Sequence, residues 1–282
     1  MRTVANANPQ VRRRRTALLG AAFVGPIDGI GTPVAAYSLR RLLSSYVANK
    51  AVRIRRASDA VEQDFGFMPS GAFDVAGAQT FIGASSGTIV TIYDQSGNGN
   101  DLTQTLAPNQ PNFTSASALI SNNPTMSFVR ASAHKLFLAS IANLNQPYTL
   151  MAVAARTGST ASFSTIFGVS AGGNPVLDYN SSVNTLRFTA GASITLAGVS
   201  DNVAHCLGAS VNAAASRWCL DGAPSAFSAT PGAGLISSLA LGTEGGNSLD
   251  GIIAEAIAFN TALSDGNMQS VQANQKAFYG TP

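Results

Sequence analysis

Short strand-like segments separated by turns run from residue 57 to residue 260. This repeated pattern constrains the fold more than any other feature of the sequence. Clear examples, rich in aliphatic and β-branched residues, are 150–155, 164–169, 184–188 and 252–259. Their length suits strands, and the turns between them leave no room for crossover helices. With 27 glycines and only 11% charged residues, the composition also fits a chain with many turns. The pattern predicts an all-β sandwich or jelly roll.

Two elements are predicted near the start of the body. Leu39, Leu42, Leu43 and Tyr46 follow the i, i+3, i+4, i+7 spacing of a short amphipathic helix. Residues 51–56 then alternate apolar and basic, which predicts a strand with one solvated face. Its arginines could contact nucleic acid, but the preferred interpretation is that nearby carboxylates neutralise them: Asp59, Glu62 and Asp64.

A helix is predicted to close the chain, from Ser264 to Phe278. Ser264 is a suitable N-cap, because its hydroxyl can accept from an unpaired backbone N–H of the first turn. Met268, Val271 and Phe278 would supply part of the apolar face.

The two cysteines, Cys206 and Cys219, leave two interpretations open. They lie in strand-like segments around a short turn, and in a hairpin centred between Asn212 and Ala213 they would face each other. A disulfide is then geometrically possible. Two buried free thiols, acting as small apolar side chains, are the alternative.

The charge of the chain is divided between its two parts. Residues 1–56 carry 11 basic residues and one acid, whereas residues 57–282 carry 6 basic and 13 acidic residues. We therefore predict a basic anchoring arm at 1–30 and a sandwich body at 31–282. A signal peptide or twin-arginine signal is the rival interpretation of the same arm. The arm residues expected to dock on a neighbouring subunit are Arg12, Arg13, Arg14, Arg15, Leu18, Leu19 and Phe23.

The most distinctive motif is the run from Tyr93 to Gln104, which reads YDQSGNGNDLTQ. Gly and Asn tolerate positive φ, while Asp and Ser bond to nearby backbone, so this run predicts a tight turn after a strand. Its Asp and Asn oxygens are ligands of the kind that calcium prefers. A plain turn is the preferred interpretation because the spacing of a known calcium loop is absent.

This turn resembles the Tyr-Asp-Gln-Ser-Gly-Asn-Gly motif of the α-L-arabinofuranosidase B catalytic domain, a concanavalin-like jelly-roll β-sandwich. Two earlier segments add to the resemblance: 37–46, which is similar to a Ser-Arg-Ala-Leu-Tyr-Ser-Ser helix, and 55–59, which is similar to an Arg-x-Ser-Asp strand end. The stretch 249–264 is similar to the closing strand of laminin-G-like and pentraxin-like sandwiches.

The resemblance also implies where catalytic carboxylates should lie. The family's acid/base is an Asp in a Gly-Gly-Asp-Asn turn. The matching stretch here is 242–248, and Gly246 stands at the position of that Asp. The Asn-Ala-Glu-Thr segment that would carry the nucleophile is absent, as is the vicinal cysteine pair. No catalytic residue is therefore assigned, and the resemblance implies a scaffold that could bind sugar. Candidate carbohydrate-binding residues are Asp94, Asn98, Asn100, Trp218, Glu244 and Asn247. Trp218 could equally belong to the core.

Three functional hypotheses follow. The leading one is a non-catalytic virion structural protein, a phage tail-fibre or capsid-decoration subunit that assembles with other virion proteins as a homo-oligomer and attaches to host glycans. The second is a glycoside hydrolase acting on arabinofuranosides or host polysaccharide. The third is an exported bacterial lectin-like protein, so the expected location is the virion or, alternatively, the secreted fraction. No cofactor or resident metal is expected, calcium being the one alternative. Carboxylates that could serve the hydrolase are Asp178, Asp221, Glu244 and Asp250.

Overall fold

The computed structural model describes residues 22–158, 162–169, 175–243 and 246–282. This part of the chain forms eighteen strands and two α-helices. The strands are β1 (Pro33–Ser38), β2 (Val52–Arg56), β3 (Glu62–Phe65), β4 (Gly87–Ile92), β5 (Leu102–Thr103), β6 (Asn112–Ser117), β7 (Asn123–Phe128), β8 (Leu136–Leu138), β9 (Tyr148–Arg156), β10 (Ser164–Gly168), β11 (Val176–Tyr179), β12 (Thr185–Thr189), β13 (Ser193–Ala197), β14 (His205–Val211), β15 (Arg217–Leu220), β16 (Ala223–Ala226), β17 (Leu239–Leu241) and β18 (Gly251–Phe259); the helices are α1 (Val75–Ile82) and α2 (Asp265–Tyr279).

The strands form two antiparallel layers, which confirms the all-β jelly-roll prediction. In the first layer β18 pairs with β1 and β7 on one side and with β9 on the other, and the order continues β9–β14–β15–β16. The second layer runs β3–β2–β4–β5–β8–β17–β10–β11–β12–β13. β6 pairs with both β4 and β7 and joins the layers at one edge.

The core lies between the layers and is filled by alternate residues of each strand. Leu150 and Ala152 from the first layer pack in one cluster with Leu177 and Phe188 from the second. The central strands β9 and β18 are buried along their whole length. Their outer face is covered as well, because α2 packs against it. β9 and β18 are therefore buried on both faces, and most of their side chains are apolar instead of alternating with polar ones.

The C-terminal helix prediction is confirmed. α2 begins directly after Ser264, whose Oγ accepts a hydrogen bond from the N–H of Asn267 at 3.2 Å. Met268 and Val271 are buried against the first layer. The helix ends at Gly280, which has the left-handed φ of 67° that glycine adopts without strain.

The predicted helix over residues 39–46 is wrong: β1 ends at Ser38 and the chain then turns without forming a helix. Leu39, Leu42 and Leu43 are buried as their spacing suggested. Their backbone, however, bonds to distant partners instead of to its own turn. The N–H of Arg41 donates to the carbonyl of Gly71, and the N–H of Leu42 donates to Oε1 of Gln95. The helix of the N-terminal third is α1, which is capped by the carboxylate of Asp74.

The strand predicted over residues 51–56 is confirmed, with β2 at Val52–Arg56. Each of its three arginines forms an ion pair with a nearby carboxylate: Arg53 with Asp64, Arg55 with Glu62, and Arg56 with Asp59. Burial would raise the pKa of Asp64, but hydrogen bonds from Arg53, Lys50 and Tyr93 outweigh it and hold that pKa below its usual value. No helix in the described part of the chain is long and apolar enough to cross a membrane.

The hairpin that carries the cysteines has a different register from the symmetric one considered above. A short 3₁₀ turn at Ala213–Ala215, with Ala213 at φ 46°, pairs Gly208 with Cys219 and Leu207 with Leu220. Cys206 and Cys219 are therefore not opposed, and both are buried free thiols. The side chain of Gln272 on α2 bonds to the carbonyls of both cysteines.

We expect both thiols to be unreactive in the folded protein. Burial raises the pKa of Cys206 to about 12 and that of Cys219 to about 11, so almost no thiolate exists at pH 8. A chromogenic disulfide reagent should titrate no thiol in native protein and two per chain in concentrated guanidinium. Rapid labelling of the native protein, or a mass two units low, would contradict this expectation.

Candidate functional site

The outer face of the second layer holds a carboxylate, an arginine and a hydroxyl side by side. Asp178 on β11 lies directly opposite Thr165 on β10 and Arg187 on β12. Directly opposed residues of antiparallel strands point to the same side of the sheet. Their neighbours Leu177 and Phe188 point into the core, so these three polar side chains share the outer face.

Arg187 binds Asp178 through two contacts. Its Nε donates to Oδ1 of Asp178 at 2.9 Å, and its Nη2 donates to Oδ2. The guanidinium carbon lies 3.5 Å from the ring centroid of Phe163, which fixes the plane of the fork. Asp178 is fully buried, and the Arg187 side chain is 15% exposed. The stacked, bidentate arginine therefore holds the carboxylate of Asp178 in a fixed orientation.

A hydroxyl next to this pair has unused hydrogen-bonding capacity. Thr165 is fully buried, and among the described residues none forms a hydrogen bond with its Oγ1. Leaving a buried hydroxyl unpaired costs on the order of 1–3 kcal/mol. Such a cost at a polar face is typical of positions kept for function.

The loop that contains Glu244 closes beside the same strands. The N–H of Gly242 donates to the carbonyl of Ile166, the N–H of Thr165 donates to the carbonyl of Asn247, and Leu249 closes the loop back onto Gly242. Glu244 itself lies outside the described residues. The loop is thus attached to β10, the strand next to the one that carries Asp178. The backbone carbonyl of Asn247, not its side chain, makes the contact that positions the loop.

The other two candidate carboxylates serve the scaffold. Asp221 accepts the N–H of Cys206 at 2.8 Å and contacts Nδ1 of His205 at 2.6 Å, at the end of the hairpin beneath α2. Asp250 accepts the N–H of Arg130 at 2.6 Å, next to the point where β7 and β18 pair.

The candidate sugar-binding residues of the Tyr93–Gln104 turn form hydrogen bonds within the turn and with the start of β1, and their role in sugar binding stays a prediction. The carboxylate of Asp94 accepts from Ala36 N at 2.9 Å, from Ser96 N and Oγ at 2.9 and 2.6 Å, and from Asn100 N at 3.1 Å. The carboxamides of Asn98 and Asn100 donate to carbonyls at the start of β1. These contacts pin the turn to β1 and use both carboxylate oxygens of Asp94 and the carboxamide nitrogens of Asn98 and Asn100.

Trp218 is a core residue, not a stacking platform for a sugar. It is 1% exposed, and its ring packs against Phe227 at 4.6 Å and Phe188 at 6.4 Å between centroids. The position follows from the alternation of β15, in which Trp218 faces inward between Arg217 and Cys219 on the opposite face.

Only the end of the predicted arm lies within the described residues. The ring of Phe23 lies beneath the guanidinium of Arg41 at 4.8 Å and contacts Gly71, so it packs on its own chain. Ile27 is also buried. The remaining arm residues fall outside the described part of the chain: Arg12, Arg13, Arg14, Arg15, Leu18 and Leu19.

Sequence reasoning missed Arg187, Thr165 and Phe163. The alternation in β12, with Arg187 between inward-facing Leu186 and Phe188, places a cation on the outer face and was a usable signal. The pairing of that cation with Asp178 depends on strand register, which local pattern does not fix.

Comparison with known proteins places these features in a family. The sequence model described as "Alpha-L-arabinofuranosidase B, catalytic" matches residues 28–193. An α-L-arabinofuranosidase of Hypocrea jecorina is 39% identical over 84 residues, and a probable α-L-arabinofuranosidase B of Aspergillus fumigatus is 41% identical over 85 residues. Each alignment covers 28% of this chain and 17% of the relative.

Solved structures share the fold. A GH54 α-L-arabinofuranosidase soaked with a cyclic sulfate inhibitor superposes with a TM-score of 0.65 at 20% identity, over 91% of this chain and 66% of that chain. An arabinofuranosidase complexed with arabinofuranosyl-α-1,2-xylobiose gives 0.61 at 19% identity, over 91% and 65%. The chain thus spans somewhat less than two thirds of these structures.

These findings overturn the leading functional hypothesis. The matched relatives and structures are named as arabinofuranosidases, so the prediction of a phage virion structural protein is wrong. The predicted virion location is wrong with it, since it rested on that function. The resemblance to the arabinofuranosidase B catalytic domain is confirmed, whereas the phage context attached to it has no support. The predicted partners stay predictions.

Proposed function

We propose that this chain, which belongs to the α-L-arabinofuranosidase B catalytic-domain family, is a glycoside hydrolase domain that acts on α-L-arabinofuranosides. The observation that carries the proposal is the position of Asp178 on the outer face of the second layer, beside the loop that contains Glu244. The described ends of that loop are hydrogen-bonded to β10, the strand that pairs with β11. The curated relatives that support the substrate class are aligned over 17% of their length, so the activity is inferred from the shared domain.

The chemistry requires two carboxyl groups with different roles, about 5–5.5 Å apart in a retaining enzyme. We assign the nucleophile to Asp178, because Arg187 fixes the orientation of its carboxylate. Glu244 then donates a proton to the glycosidic oxygen as the bond to the anomeric carbon breaks and Asp178 forms the glycosyl ester. Water then cleaves that ester and frees Asp178, and Glu244 takes up a proton from the water. Asp178 is buried, so the sugar must displace part of what covers it.

This assignment departs from the family pattern at Gly246. The family's acid/base aligns with that position, where the chain has φ 91° and no side chain. A left-handed φ favours glycine, so the turn geometry accounts for the residue, and Glu244 must supply the proton from two positions earlier.

We expect wild-type protein to release 4-nitrophenol from 4-nitrophenyl α-L-arabinofuranoside, and Glu244→Gln to lower kcat at least about 100-fold, the usual contribution of a general acid. Glu62→Gln is the matched control, because Glu62 lies on β3 in an ion pair with Arg55. Asp178→Asn should abolish turnover while circular dichroism shows a folded protein. Equal activity in Glu244→Gln and wild type would refute the assignment of Glu244.

A second candidate function, binding without hydrolysis, is favoured by the complete burial of Asp178 and its pairing with Arg187. Calorimetric binding of an arabinofuranoside with no detectable product after prolonged incubation would support this alternative. It would also reject the hydrolase proposal.

A further inference from the structure

A groove runs along the C-terminal end of α1, remote from Asp178. Two adjoining cavities of about 380 and 560 Å³ share Ile82, Gly83 and Ser85 as lining residues. Sites for small ligands usually enclose about 300–1,000 Å³. The groove borders β4, five strands from β11 in the order of the second layer, which is about 24 Å at a strand spacing of about 4.8 Å.

The walls of this groove present hydroxyl and carboxamide groups next to apolar surface. Nε2 of Gln79 donates to Oγ of Ser115, and both residues line the groove. Asn112 also lines the groove and is half-buried. Ile82 and Phe113 supply the apolar part. Sugar rings require this combination, since each carries hydroxyls at its rim and C–H groups on its face.

The charges along the groove are already neutralised. Nε and Nη2 of Arg56 donate to the two oxygens of Asp59, and its Nη1 donates to the carbonyl of Phe81. No other charged residue lines either cavity among the described residues. A ligand that carries charge would find no partner there, so an uncharged ligand is favoured.

We propose that this groove binds an uncharged oligosaccharide, through Gln79 and Asn112 and the apolar surface of Ile82. It would hold a neighbouring part of a saccharide chain, at a distance from the Asp178 face. The proposal goes beyond the hydrolase function and does not depend on it, because binding in the groove requires no carboxylate chemistry.

The test is isothermal titration of the full chain carrying Glu244→Gln, which prevents hydrolysis, with arabinotriose, a neutral trisaccharide, and with trigalacturonate, a charged one. We expect arabinotriose to bind and trigalacturonate not to bind. Gln79→Ala combined with Asn112→Ala should weaken arabinotriose at least about tenfold, since two hydrogen-bonding groups are lost at about 0.5–1.5 kcal/mol each. Gln269→Ala, an exposed carboxamide on α2, is the control and should bind like wild type.

A second variant, Ser86→Trp, fills the groove from an exposed position and should also abolish binding. Turnover of the chromogenic arabinofuranoside should be the same in all groove variants and wild type. If the double variant binds like wild type, or if no neutral saccharide binds at millimolar concentration, the groove proposal fails. Loss of turnover in Glu244→Gln with groove binding retained would separate the two proposals.

Discussion

Asp94→Ala is expected to lower the free energy of unfolding by about 3 kcal/mol or more, and to do so before any sugar binding is affected. The carboxylate of Asp94 accepts hydrogen bonds from three backbone N–H groups and one hydroxyl, and it is 4% exposed. Removing the carboxylate leaves these donors without a partner. Each buried donor left unpaired costs about 1–3 kcal/mol of stability. Urea denaturation followed by circular dichroism measures the change.

Matched variants separate the role of Asp94 from a general effect of the turn. Asp94→Asn keeps the shape and one acceptor oxygen, so we expect an intermediate loss. Asn98→Ala removes an exposed carboxamide, so we expect less than about 1 kcal/mol. An unchanged unfolding midpoint in Asp94→Ala, together with weaker arabinofuranoside binding, would contradict the scaffold role and restore a sugar site at the turn.

The motif that identified the family is therefore a structural device. Its residues were predicted to bind sugar because Asp and Asn side chains carry suitable oxygens. Sequence alone does not show which of those oxygens the chain uses itself. In this fold the turn lies against β1, more than fifty residues earlier in the chain. There the backbone N–H of Ala36 donates a hydrogen bond to Asp94. Only tertiary contacts decide between the two uses of one side chain.

The strands and α2 were predictable because their signals are local. The alternation of apolar and polar residues, apolar runs and a serine N-cap can each be recognised within ten residues of sequence. The false helix at 39–46 had a local signal too, since its leucines are buried at the expected spacing. In a helix the backbone N–H groups of Arg41 and Leu42 would bond within the same turn. Here their acceptors lie 30 and 53 residues away in the sequence. Long-range hydrogen bonds of this kind outweigh a weak local preference.

The candidate site illustrates the same limit. Asp178 was identified as one of few carboxylates in its region, but its neighbours were not. The contacts between Asp178, Thr165 and Arg187 arise from the register of three strands. A shift of one residue would send Asp178 into the core, so the site depends on register that local sequence does not specify.

Glu255→Ala is the second change with a large expected effect, a loss of about 3–5 kcal/mol in the free energy of unfolding. Glu255 lies on β18 and is fully buried beneath α2. Its carboxylate accepts from Nε and Nη2 of Arg40 at 2.8 and 3.2 Å. The hydroxyl of Tyr279 and the carboxamide of Gln275 donate further hydrogen bonds to the same carboxylate. Removing one member of a buried ion pair leaves the other charge without compensation, which accounts for the expected size.

The protonation state of the neighbours supports this expectation. Burial raises the pKa of Tyr279 above its usual range, and the Glu255 carboxylate raises it further, so the hydroxyl remains a donor. Glu62→Gln breaks an ion pair that is about one third exposed, so it is the control and should cost less than about 1 kcal/mol. Arg40→Leu combined with Glu255→Leu removes both charges and should recover a large part of the loss. If Glu255→Ala and the double variant unfold at the same denaturant concentration, the cost is one of packing and not of an uncompensated arginine.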